Sequence, residues 1–357
     1  MRDIAALRLE RWRRARTALV VLAFALVATC AANLAFGALD LPLSKITAAM
    51  LEPLGFAAGD SLAPHERSTL FAVRLPRVAL GLLVGSSLAL SGATMQSIFR
   101  NPLVEPGLLG VASGAALGAM LAIVFGEDLA SRIHPELARL LVPAGAFVTG
   151  LASAWAVTLL GRVDGRTQIA TVILSGIAVN SIAGAGIGLL TYLANDAQLR
   201  TLTFWTLGSL SGATWPDLRI AAFLVVAGSI LLLALRHPLA MLELGEREAS
   251  HLGVDVERTK RIALTVVALL VGAAVSLAGV IGFVGLVVPH LVRMALGHDA
   301  RFVLPASFLA GGTLLLAADL AARTLVAPTE LPLGVVTSAI GGPFLLFLVL
   351  RLRRSAW

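Results

Sequence analysis

Few residues in this 357-residue chain have the types and spacing to do chemistry. His65-Glu66 is followed by Arg67-Ser68-Thr69, so the second histidine of a His-Glu-x-x-His zinc helix is missing. Ser113-Gly114, Ser175-Gly176 and Ser211-Gly212 resemble nucleophile turns, but no apolar run pairs a serine with a histidine; small-residue packing explains these dipeptides better. Neither Lys45 nor Lys260 follows a glycine, so the Gly-Lys-Ser/Thr core of an ATP-binding phosphate loop is absent. Cys30 is the single cysteine, which excludes a disulfide and a cysteine-based metal site. The remaining chemistry is charge in unusual places. Asp319 is the one acidic residue well inside an apolar run, and Arg323 lies at the i+4 position where a helix would pair them. Arg74-Leu75-Pro76-Arg77 sets two guanidinium forks three residues apart at the start of another run, a geometry suited to carboxylates. One intramembrane carboxylate is poor equipment for proton or sodium coupling. No enzyme chemistry, no metal site and no cofactor are expected.

These groups must be positioned by apolar elements. Hydrophobic residues make up 58% of the chain and charged ones 14%, whereas soluble domains carry roughly a quarter charged residues. Mean hydropathy is +0.90, so lipid is the solvent for most of the surface. Ten stretches are long enough to cross a bilayer, at about 20 residues per crossing: 18–38, 76–98, 107–126, 141–160, 169–193, 218–235, 262–281, 282–297, 302–322 and 333–350. The expected fold is an all-α integral membrane protein of about ten helices, one domain over 1–357. Its elements include a cytoplasmic N-terminal arm at 1–17 and a cytoplasmic loop at 236–261.

With both termini cytoplasmic, 19 of the 28 Lys and Arg residues fall inside, as the positive-inside rule requires. The +7 charge and pI near 11.0 thus have a topological use, and no nucleic-acid stripe forms. In the 236–261 loop, mixed charges with Leu and Ala at helical spacing predict short amphipathic helices. Gly81 and Gly85, and Gly110, Gly114 and Gly118, predict close helix packing. Pro289 and Pro343 predict broken or kinked helices. Arg74, Arg77 and Arg323 fall at outer ends of spans, against the charge trend.

Five ordered motifs then carry a resemblance: Arg74-Leu-Pro-Arg77; Ser91-Gly-Ala-Thr-Met-Gln-Ser-Ile-Phe-Arg-Asn-Pro-Leu-Val-Glu-Pro-Gly-Leu-Leu-Gly110; Leu244-Gly-Glu246 with Leu252-Gly253; Gly282-Phe-Val-Gly-Leu-Val-Val-Pro-His290; and Glu330-Leu-Pro-Leu-Gly334. Over about 70–350 the chain resembles the FecCD-type permeases of bacterial importers for iron-siderophores, haem and cobalamin. The resemblance implies a multi-pass inner-membrane permease that pairs with a second copy of itself, with the path at the dimer interface. Two copies of a cytoplasmic ATP-binding subunit would hydrolyse ATP, and a periplasmic substrate-binding protein would deliver the cargo. It implies docking of that binding protein at Arg74, Arg77 and Arg323, and ATPase coupling through Leu244, Gly245, Glu246, Arg247, Leu252 and Gly253. Arg200, Tyr192 and Asn180 are candidates for the substrate path. Haem or a related iron chelate is the favoured cargo, with ferric siderophores and cobalamin as alternatives. From the residues alone, an ion-coupled secondary carrier and a structural membrane scaffold stay open.

Overall fold

The computed structural model describes residues 4–37, 39–52, 62–126, 131–327 and 329–355. The first three residues of the expected N-terminal arm, and 53–61 of the connection after the first apolar run, lie outside the described residues. Helix α1 (Ile4–Ala35) runs from the basic segment straight into the first apolar stretch, because no Gly or Pro punctuates it. Two short helices follow, α2 (Leu43–Leu51) and α3 (Pro64–Ser68). A π-helical turn, Thr69–Arg74, then leads without a break into α4 (Leu75–Phe99); Pro76 sits just past that turn and supplies no N–H, and the Phe71 carbonyl accepts instead from Trp215 Nε1 (2.8 Å).

Helix α5 (Val111–Phe125) is shorter than its apolar run because Pro106–Leu109 forms a 3₁₀ turn, closed by Gly110 at φ 74°. Helix α6 (Pro135–Leu160) and α7 (Ile169–Leu193) are joined by an antiparallel hairpin, β1 (Arg162–Val163) and β2 (Arg166–Thr167). Its Asp164-Gly165 tip takes positive φ at both positions, the requirement of a tight primed turn. Polar helix α8 (Asp196–Leu207) starts at a capping box: Asn195 Oδ1 accepts from Gln198 N (2.9 Å) and Gln198 Oε1 from Asn195 N (3.1 Å).

Then come α9 (Trp215–Ala234), the short α10 (Arg236–Leu242) and α11 (Glu246–His251), α12 (Val256–Ala278), α13 (Val284–Leu296), α14 (Ala300–Thr324) and α15 (Leu333–Ser355). The amphipathic helices expected in 236–261 are therefore present. Among the described residues, seven helices have the length and apolar composition to cross a membrane, and three shorter apolar helices (Val111–Phe125, Val284–Leu296 and Leu333–Leu348) accompany them. Pro289 and Pro343 sit inside α13 and α15 and do not break them. The interruption falls just before α13, between Ala278 and Val284, where Gly279 and Phe283 both take positive φ.

One helix organises the bundle. Over its most apolar window the element containing α4 is 83% buried, against 17% for α1 and 22% for α7. Such enclosure needs close backbone approach. A β-carbon at Gly85 would collide with the Gly311 carbonyl of α14, and one at Gly92 with the Gly285 carbonyl of α13. The expected Gly114 and Gly118 contacts are also present, against Ser153 and Thr149 of α6. Without hydrophobic drive between helices in lipid, this close van der Waals packing supplies the association energy.

Overpacking costs about 1–3 kcal/mol, occasionally more. Gly92→Leu is therefore expected to lower the thermal unfolding midpoint in detergent markedly, whereas Gly184→Leu, whose site has open space around it in the single chain, should leave it nearly unchanged.

Candidate functional site

The polar groups of the chain gather at the two ends of α4. At its amino-terminal end Arg77 is buried and forks between two carboxylates. Its Nε and Nη2 donate to Asp319 (2.9–3.1 Å), and Nη1 and Nη2 donate to Glu330 (3.0 and 2.8 Å). Asp319 also pairs with Arg323 at 3.3 Å, the i,i+4 pair expected from sequence. Arg323 Nη2 donates in turn to Asn33 Oδ1 of α1 (2.7 Å). Arg74 has no carboxylate partner among the described residues. It donates to the carbonyls of Leu34 (2.5 Å), Ala35 (2.9 Å) and Leu39, so a cation sits at the carbonyl end of α1, where Ala35 O accepts from Leu41 N as well (2.9 Å).

The structure thus brings the three arginines together and gives each of them acceptors within the chain. Arg74 and Arg77 are buried, and Arg77 spends its fork within the chain. The reason is desolvation: a guanidinium taken out of water must find internal acceptors. All three arginines still line one cavity of about 660 Å³, with Thr69, Thr324 and Glu330 on its wall. Glu330 is the carboxylate on that wall, and Asp319 pairs with Arg77 and Arg323 behind it.

The second gathering joins the carboxy-terminal end of α4 to the α10–α11 segment. Arg293 of α13 is buried and donates to Glu243 (2.8 Å), Ser97 Oγ (2.9 Å), the Ala93 carbonyl (3.2 Å) and Gln96 Oε1 (3.3 Å). Ser97 Oγ also donates to Glu243 (2.8 Å). One turn further on, the helix α11 is bracketed by Gly245 (φ 137°) and Gly253 (φ 85°); these left-handed values let the chain turn sharply in and out of so short a helix. Leu244 and Leu252 beside them are 64% and 60% exposed, apolar side chains held out at both ends of the element.

Glu246 turns inward and pairs with the fully buried Lys260 at 2.7 Å. Lys260 Nζ donates also to the Thr167 carbonyl (3.3 Å), and Glu257 accepts from Thr167 N and Oγ1 (both 3.0 Å). The α10–α11 segment is in this way fastened to α12 and to the α6–α7 hairpin. Arg247 stays exposed, and with Arg166, Ser250 and His251 it lines a cavity of about 620 Å³.

The three path candidates are not brought together. Asn180 faces α5, accepting from Ser113 Oγ, while Tyr192 is 85% exposed and Arg200 of α8 is exposed too. Sequence reasoning missed Arg293, Glu243 and Lys260 as site residues. Gln96 and Ser97 inside an apolar run were the available signal for a buried polar partner.

With the two gatherings described, the relatives become informative. The FecCD transport family model matches residues 24–351. The chain belongs to this family. It is similar to the hemin transport system permease protein HmuU of Yersinia pestis, 48% identical over 221 residues, 62% of this chain and 66% of that protein. It is similar also to the cobalamin import system permease protein BtuC of Halobacterium salinarum, 43% identical over 215 residues, 60% of this chain and 58% of that protein. The matched part thus spans less than two thirds of these relatives' lengths. A solved structure described as an inward-facing metal-chelate type ABC transporter superposes with a TM-score of 0.79 at 32% identity, covering 93% of this chain and 98% of that one. Like its FecCD relatives, the chain is a multi-pass protein of the inner membrane.

Removing one partner of a buried ion pair costs about 3–5 kcal/mol because the other charge is stranded. Arg293→Met should accordingly destabilise the chain strongly by thermal unfolding, and Arg293→Met with Glu243→Gln should recover part of that loss. A double variant no more stable than Arg293→Met would contradict the pairing.

Proposed function

We propose that this FecCD-family chain is the permease subunit of an ATP-binding-cassette importer that carries haem, or a related iron chelate, across the inner membrane. The observation that carries the reading is the pair of polar clefts at opposite ends of one buried helix. An outer cleft lined by Arg74, Arg77 and Arg323 fits acidic groups of a substrate-binding protein. An inner cleft around Arg247, with Leu244 and Leu252 exposed beside it, fits an ATP-binding subunit. The amino-terminal and carboxy-terminal ends both lie on that inner side, and ten helices cross the bilayer.

A second copy of the chain completes the path. The exposed face of α7, with Ser181, Gly184 and Gly188, and the exposed Val335 and Ile340 of α15 supply small and apolar surface for that pairing. Tyr192 and Arg200 lie at its outer mouth. ATP binding draws two ATP-binding subunits together; α11 moves with them, and the Arg293–Glu243 and Lys260–Glu246 junctions pass the displacement to α4, α12 and α13. Asp319, held between two arginines, has no free charge with which to couple an ion gradient, which weighs against a secondary carrier.

Haem is favoured because the hemin permease relative is the more similar over the longer stretch. Cobalamin and ferric siderophores are the alternative cargoes, the first supported by the cobalamin permease relative. Reconstituted with its ATP-binding and substrate-binding proteins, the chain is expected to take up haem in an ATP-dependent manner and faster than cobalamin or a ferric siderophore. Uptake driven by an ion gradient without ATP would overturn the importer reading, and faster cobalamin uptake would overturn the cargo.

Two substitutions test the clefts. Arg247→Glu with Leu252→Asp should abolish ATP-driven uptake while helical content stays unchanged. Arg323→Glu should weaken capture of the substrate-binding protein, with the loss growing at low salt, where screening is least. Capture that is independent of both the substitution and the salt would remove the outer cleft from the interface.

A further inference from the structure

A third cavity lies away from both clefts. A groove of about 490 Å³ opens between α1, α13 and α14, floored by Ala18, Val21, Val292, Leu296, Leu314 and Ala317. Its lining is aliphatic except for Thr313, whose hydroxyl is already spent on the Leu309 carbonyl (2.9 Å). On α13 the lining runs from Val288 to Leu296, about 12 Å at 1.5 Å per residue. An apolar groove of that length in a membrane-embedded surface matches a section of one acyl chain.

The charge pattern at one end makes the site selective. Arg14 stands four residues before Ala18 and seven before Val21, on the same face of α1, and its side chain is exposed. It forms no hydrogen bond or ion pair among the described residues. Arg13 and Arg16 flank it and are exposed as well. At the same level Trp12 meets the edge of Phe302, with ring centroids 5.2 Å apart; an exposed tryptophan marks the headgroup depth of a bilayer. The acidic residue at the start of α14, Asp299, is closed onto Arg301 at 2.5 Å, and Glu10 lies one turn of α1 further from the groove. An uncommitted guanidinium thus stands one helical turn beyond an apolar trough, at the depth where a lipid phosphate sits.

We propose that this groove is a binding site for an anionic phospholipid, with one acyl chain along its floor and the phosphate at Arg14. The site requires only that the chain reside in a membrane, so it stands or falls separately from the importer reading.

Full-length protein stripped of lipid in detergent is offered phosphatidylglycerol or phosphatidylcholine of equal chain length, and bound lipid is read by native mass spectrometry. The wild type should retain phosphatidylglycerol over phosphatidylcholine by about fivefold, the factor that one arginine near a membrane surface supplies. Arg14→Glu should erase that preference. Ala295→Phe, which fills the groove from an exposed position, should reduce retention of both lipids, with Thr313→Leu as the substitute if Ala295→Phe fails to fold. Equal retention of the two lipids by the wild type, a preference that survives Arg14→Glu, or retention unchanged by groove filling would each overturn the proposal.

Discussion

The burial of α4 is the constraint from which the rest of the structure follows. A helix enclosed on nearly every side has no water to satisfy polar groups, so charge at its ends must be answered within the protein. Arg77 reaches Asp319 and Glu330 at one end, and Ser97 with Gln96 meets Arg293 at the other. Enclosure also demands glycine where carbonyls of α13 and α14 come close. The result is a closely packed helix pinned at both ends to elements that reach the protein surface.

That arrangement explains why the two clefts share a molecule without sharing a residue. Glu243 ties the segment before α11 to α13 and α4, while Glu246 ties α11 to α12. At its amino-terminal end α4 meets α14 through Arg77 and Asp319, and Arg323 of α14 reaches Asn33 of α1. The peripheral helices α1 and α7 are far less enclosed, and they provide the surfaces that lipid or a second copy can cover.

Much of this was legible in the sequence because the signals are local. Apolar runs located the long helices, the Asn195–Gln198 box started α8, and the mixed charges of 236–261 marked two short helices. Asp319 and Arg323 are one helical turn apart, so their pairing could be read directly. The partners of Arg77 could not, since Asp319 and Glu330 lie 242 and 253 residues away and choosing them requires knowing which helices touch. The same limit hid Arg293, which reads as an ordinary topological charge until α4 and α10 are folded beside it. Sequence spacing was therefore a guide to the Asp319–Arg323 pair and no guide to the long-range acceptors of Arg74 and Arg77.

Lys260 has a practical consequence. The chain contains only two lysines: Lys45, partly exposed beside Glu66, and Lys260, sealed against Glu246. Primary-amine chemistry therefore addresses two side chains in the whole protein, and one of them is hidden for as long as the joint holds. Acylation at Lys260 would measure how often that joint opens, with Lys45 as an internal reference on the same polypeptide.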